Sequence, residues 1–344
     1  MRDLARLPKA ELHIHLEGSI RIDTIRELAD RQGRAVPAAL GEDGWSFAHF
    51  DHFIEQYGAA CDLLATPEDF HRIAREFCAD LADNGVRYAE AVFSPAQHAG
   101  RLGDWYGPIE AVLDGFAAGE RDHGVICRLE PDVIRDLGMD AAEGTLEVAL
   151  RYAGRGVVAL NCAGSERNPP APYADVFRRA REAGLHSVPH AGEWSGPESV
   201  WSTLAHLLPE RIGHGVRSVE DPRLVARLAE LQIPLEICPT SNVRTGVVPD
   251  LAHHPFLRLR EAGVVVTLNS DDPAMFGSWL ADEFRVARED FGLADEPLAE
   301  IARTGVRSSF ADEDVRRRIL ADVDGWLAED AGTEDGTNVA ASTG

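Results

Sequence analysis

The chain has 344 residues, 44% hydrophobic and 27% charged, a globular composition that excludes a wholly disordered polypeptide. Its formal net charge of −24 excludes nucleic-acid phosphate as the main partner, because that partner demands a basic footprint. The length suits one large α/β domain of the barrel class, which often runs to roughly 250 residues or more.

The opening MRDLARLPKAELHIHLEG puts charges and histidines where a secretory signal needs an unbroken apolar run. No later stretch reaches the roughly 18–20 apolar residues of a membrane span, so the expectation is a soluble, cytoplasmic protein with no membrane partner. The first predicted strand covers 11–16. Residues 17–85 are too many for one crossover helix and carry amphipathic segments at 19–31 and 47–63, which reads as a helical insertion beside the first strand. Short β-branched or apolar runs then recur at 86–93, 125–133, 157–160, 186–188, 211–213, 234–237 and 264–268. Helical patterns fill most gaps, for example 174–183 and 222–231, each followed by a Gly or Pro break. Strict alternation implies parallel strands with crossover helices, and eight units imply a (β/α)8 TIM barrel rather than an open doubly wound sheet. The barrel should occupy 1–328, leaving 329–344 as a disordered acidic tail. Five widely spaced cysteines with no CxxC pair read as buried apolar residues, not as a disulfide or thiolate-zinc framework.

The chemistry-bearing residues gather at the C-terminal ends of these strands, the end where barrels build active sites. The first strand ends in His13-Ile14-His15, and a spacing of two puts both imidazoles on one face. The fifth ends in His190-Ala191-Gly192-Glu193, the sixth in His214-Gly215, and the eighth in Asn269-Ser270-Asp271-Asp272-Pro273. Three histidines and a carboxylate suit a catalytic zinc ion with a coordination position open to water. A hydrolysis would also need a group to take the water's proton and another to deliver one, and His214 and Glu193 are available. Each motif alone is ordinary: HxH is more often a pair of satisfied histidines, and DD-Pro a cap or turn. Their conjunction at the same end of one predicted barrel favours a site.

The segments 8–19 (PKAELHIHLEGS), 190–193 (HAGE), 214–215, 238–242 (CPTSN) and 270–273 (SDDP) together resemble the adenosine and adenine deaminases of the amidohydrolase superfamily, over about residues 5–320. The resemblance implies hydrolytic loss of the 6-amino group from an adenine nucleoside, with one zinc ion held by His13, His15, His190 and Asp271. It further implies that Glu193 protonates N1 of the purine, that His214 orients and deprotonates the attacking water, that Asp271 also holds that water, and that Asp272 bonds to N7. The backbone N–H of Gly164 would meet N3, and Glu17 stands where the adenosine enzymes carry an aspartate that contacts the sugar. Glu17 and the shorter chain resemble a bacterial subgroup that includes adenine deaminases and aminodeoxyfutalosine deaminases, and Asn168-Pro169-Pro170 and the run 196–201 are similar to its aminodeoxyfutalosine members.

Rival readings fare less well. A lysine-bridged binuclear hydrolase is not available, because Lys9 is the only lysine and it precedes the first ligand. The smaller zinc deaminases that pair HxE with PCxxC need a CxxC that this chain lacks. A non-enzymatic purine-binding barrel would be expected to have lost Glu193, His214 or Asp271, and all three are present.

Overall fold

The computed structural model describes residues 1–329. The expected tail therefore lies outside the described residues, apart from Glu329. Eight strands run in parallel and in chain order: β1 (Lys9–His15), β2 (Val86–Phe93), β3 (Ile126–Ile134), β4 (Ala159–Ala163), β5 (His186–Ala191), β6 (Ile212–His214), β7 (Leu235–Ile237) and β8 (Val266–Leu268). The ring closes just beyond β8, where the His15 amide donates to the Asp271 carbonyl at 2.8 Å and the Asp271 amide to the His13 carbonyl at 3.0 Å. This is the TIM barrel the alternation implies, with strand limits shifted by up to three residues.

In β1 a single alternation builds both faces of the wall. Ala10, Leu12 and Ile14 are buried in the apolar layers outside the barrel, where Val306 and Ile319 of the last two helices pack beside Ala10 and Leu12. Glu11 and His13 instead meet polar partners from β6–β8 and their loops. The barrel interior departs from the usual aliphatic layers: Glu90, Glu130, Arg211 and Glu236 lie buried within it.

Between β1 and β2 the chain forms α1 (Ile22–Arg31), a hairpin of two-residue strands (Leu40–Gly41 and Gly44–Trp45), α2 (Phe50–Cys61) and α3 (Pro67–Asp83). The last helix is the regular crossover: Phe77 of α3 stacks on Phe116 of the next long helix, Gly107–His123. A helical insertion ending at 85 is thus too long; the extra material ends before α3, and its hairpin was not expected. Strands of two residues are too short to leave a period in the sequence. The cysteines are free and buried, as expected, and no helix among the described residues is long and apolar enough to cross a membrane.

Candidate metal centre and active site

The first strand delivers His13 and His15, and the fifth delivers His190. The Nε2 atoms of His15 and His190 face each other at 3.3 Å. Asp271 Oδ1 lies 3.5 Å from His13 Nε2 and 3.3 Å from His15 Nε2. A tetrahedral zinc ion with bonds of about 2.0–2.1 Å would separate its ligand atoms by about 3.3–3.4 Å, so these spacings fit one ion. His13 Nε2 is fully buried and makes no hydrogen bond, a costly state that a cation would relieve. The other nitrogens are taken: His13 Nδ1 lies 2.9 Å from Glu236 Oε2, and His190 Nδ1 lies 2.8 Å from Asn161 Oδ1. The chemistry of the donor set and its spacing therefore accommodate a metal ion.

Local backbone brings the side chains to this point. His214 (φ 59°) and Asp271 (φ 65°) both occupy the left-handed region, a strained choice for side-chain-bearing residues that costs on the order of 1–3 kcal/mol each. Gly213 has no substitute, since a Cβ there would lie 2.6 Å from the His13 ring. At Gly18 a Cβ would fall 1.8 Å from Asp272 Oδ1, so the turn after β1 closes directly on that carboxyl.

Glu193 and His214 flank the histidine cluster, with Glu193 Oε2 3.6 Å from His214 Nε2 and Asp271 Oδ2 3.9 Å from the same nitrogen. Burial, reinforced by Asp271 and Glu166, holds the Glu193 carboxyl well above its ordinary range, which favours its protonated form. Burial lowers His214 to about 3, leaving a neutral imidazole. Asp272 is raised by burial and by Asp271 beside it. Burial opposes ionisation of Asp271, yet the His13 and His15 imidazoles beside it hold its carboxyl well below the usual value. Ser241 Oγ donates to Asp271 Oδ2 at 2.6 Å and fixes the carboxylate's rotation. The site thus sets carboxyls whose protonated form burial favours beside a neutral imidazole, an arrangement suited to acid–base chemistry.

Glu17 is buried, and its Oε1 accepts from the Ser94 amide and meets His98 Nε2, each at 3.1 Å, while Oε2 has no partner. Gly164 sits at the exposed end of β4 (φ 84°). Trp194 stacks near Phe50 of α2 with ring centroids 4.5 Å apart, and Tyr57 of α2 meets His15 edge to face at 6.3 Å. The insertion therefore forms one wall of the mouth.

Glu166 was missed by sequence reasoning. Its Oε1 accepts from the backbone amides of Glu193 (2.8 Å) and Trp194 (2.7 Å), and its Oε2 from that of Gly192 (2.7 Å) and from the Ser199 hydroxyl. One carboxylate thus sets the turn that aims Glu193. Consecutive free N–H groups in an HAGE turn before a helix make an anion-binding concavity, which was the available signal.

Comparison with known proteins agrees with this geometry. A model of the adenosine deaminase family matches residues 8–326. An aminodeoxyfutalosine deaminase of Streptomyces coelicolor is 42% identical over 94% of this chain and 87% of its own length. The crystal structure of an adenine deaminase from Arthrobacter aurescens, 33% identical, superposes with a TM-score of 0.86 over 93% of this chain and 99% of its own. An amidohydrolase from Burkholderia ambifaria, solved with bound zinc, is 26% identical with a TM-score of 0.84, covering 95% of this chain and 94% of its own.

Proposed function

This chain belongs to the adenosine deaminase family, and on that premise we propose that it is a zinc-dependent hydrolase that removes the 6-amino group of an adenine nucleoside as ammonia. The observation that carries the reading is the convergence of His13, His15, His190 and Asp271 beside the buried Glu193 carboxyl, whose protonated form burial favours. One zinc ion held by those four residues would supply an attacking water whose pKa falls to about 7.

The remaining work falls to the chain. Glu193 donates its proton to N1 of the purine, which draws electrons from C6. His214, neutral at pH 7, takes a proton from the water as its oxygen bonds to C6. Asp271 orients that water through the carboxylate that Ser241 steadies. Asp272, whose carboxyl burial raises, hydrogen-bonds N7, while the Gly164 amide meets N3 and the free oxygen of Glu17 faces the sugar. The proton that His214 took from the water then passes to the amino group, and breaking the C6–N bond releases ammonia and leaves the inosine-type ring, still protonated at N1.

A second reading of the substrate, aminodeoxyfutalosine, is favoured by the likeness to the Streptomyces aminodeoxyfutalosine deaminase; free adenine ranks behind both nucleosides. The partner is a small purine, acted on in the cytoplasm. Ammonia release by zinc-loaded protein is to be measured with adenosine, deoxyadenosine, aminodeoxyfutalosine and adenine. Preference for adenosine supports the first reading and preference for aminodeoxyfutalosine the second. No release from any of them by zinc-bound protein would overturn both.

A further inference from the structure

Beneath the histidine cluster, one buried cation touches three strands' carboxylates. Arg211, just before β6, is 1% exposed. Its Nε donates to Glu236 Oε1 of β7 at 2.5 Å, and its Nη2 to Glu130 Oε1 of β3 at 2.8 Å and to Glu90 of β2. Nη1 donates to the Ser308 carbonyl at 3.0 Å, and the guanidinium lies 3.9 Å over the Phe310 ring. Two of these carboxylates lead onward. Glu236 uses its second oxygen on His13 Nδ1 at 2.9 Å. Glu130 uses its second oxygen to accept from Asn161 Nδ2 at 3.0 Å, and Asn161 Oδ1 meets His190 Nδ1 at 2.8 Å. Asn161, Glu130 and Glu236 are all fully buried, so water cannot substitute for any link.

The direction of each bond follows from the groups. A carboxylate only accepts, so His13 must donate from Nδ1 to Glu236; the Asn161 amide nitrogen donates to Glu130, so its oxygen must accept from His190. Both imidazoles are thereby left with Nε2 as the free lone pair, and both Nε2 atoms point into the cluster. His15 takes part in neither arm.

We infer that Arg211 is a positioning residue that, through two separate arms, Glu236 to His13 and Glu130–Asn161 to His190, fixes the tautomer and orientation of two of the proposed metal ligands. Arg211 suits this hub because its planar fork presents donors to three carboxylates at once, which a lysine's point charge cannot do. The inference rests on the metal reading above, and the test separates the two.

Zinc affinity is to be measured by chelator competition on full-length protein stripped of metal, with folding checked by circular dichroism. Glu236→Ala and Asn161→Ala should each weaken zinc about 10- to 100-fold. Glu236→Gln, which keeps an acceptor for His13 Nδ1, should recover part of that loss. In the zinc-loaded protein each arm variant should lose the exchange-protected Nδ1–H resonance of its own histidine and keep the other's. Arg211→Met should weaken zinc at least as much as the stronger arm variant, and adding Glu236→Ala to it should cost less than in the wild type. Should Arg211→Met not fold, Arg211→Lys serves, with a smaller loss of affinity. Glu283→Gln alters a buried, hydrogen-bonded carboxyl that touches no ligand, and should leave zinc affinity unchanged. If the wild type binds no zinc, the metal reading and this inference fall together. If the wild type binds tightly and folded Glu236→Ala and Asn161→Ala match it within about twofold, the inference falls alone.

Discussion

The barrel's mouth and the interior just below it both bury charged groups, yet they differ in how many of their polar atoms find partners. Below, Arg211, Glu90, Glu130, Asn161 and Glu236 are all tied to one another or to the chain. Above, His13 Nε2, Glu17 Oε2, Asp132 Oδ1, Asp272 Oδ1, Tyr57 Oη and Trp194 Nε1 are buried without a hydrogen bond. An unmet buried polar atom costs about 1–3 kcal/mol, so a cluster of them at one end of a barrel marks a surface completed by a ligand. The satisfied set marks support. Glu11 Oε2, buried without a partner, is the exception below the mouth.

Substitutions can break that comparison. The largest effect is expected where the two regions join: His13→Ala should lose the metal, all measurable deamination and the stability the metal lends, checked by metal analysis and thermal denaturation with and without zinc. Normal zinc occupancy in that variant would remove His13 from the ligand set. Next comes the mouth itself. Glu193→Gln should keep zinc and fold while kcat drops about 10²- to 10⁴-fold, because an amide cannot deliver the proton; steady-state rates at saturating substrate check it. A smaller loss, up to about 10²-fold in kcat, is expected of Glu166→Ala, which frees the turn carrying Glu193 and leaves the ligands in place. Zinc content must stay normal there, or Glu166 does more than aim the acid.

The smallest effect belongs to a satisfied carboxyl away from the ligands. Burial raises Glu283 to about 7, against the bonds it accepts from Ser278 and Thr240. The folded chain thus binds a proton there that the unfolded chain releases above about 4.5. Its stabilising contribution is complete below about pH 4.5 and is lost as pH rises through 7, on the order of 3 kcal/mol in all. Glu283→Gln should flatten the fall in stability between pH 5 and 8, measured by urea denaturation, while kcat is unchanged. An unaltered pH slope would show that Glu283 ionises normally in the fold.

How much of this was legible in the sequence follows the same division. The eight strands and the ligand motifs announce themselves because they are local: an HxH pair on a strand, an acid pair before proline, apolar runs broken by glycine. Glu236 sits inside the short run 234–237 and reads as one polar residue in a strand; only the closing of the barrel brings it under His13. Arg211 likewise lies 121 residues from Glu90 and 81 from Glu130, pairings that no periodicity encodes. The length of the insertion was misjudged because α3 carries the same amphipathic pattern as the helices before it.

The reach of Glu166 across to the turn after β5 also bears on how such a barrel can diverge. The loop after β4 and the loop after β5 form a single structural unit, because one supplies the carboxylate and the other the amides it gathers. A lengthened or shortened β4 loop would move Glu166 and with it Glu193, the proposed proton donor. Variation that retunes substrate choice is therefore freer in the segment between β1 and α3, which frames the mouth without holding the acid in place.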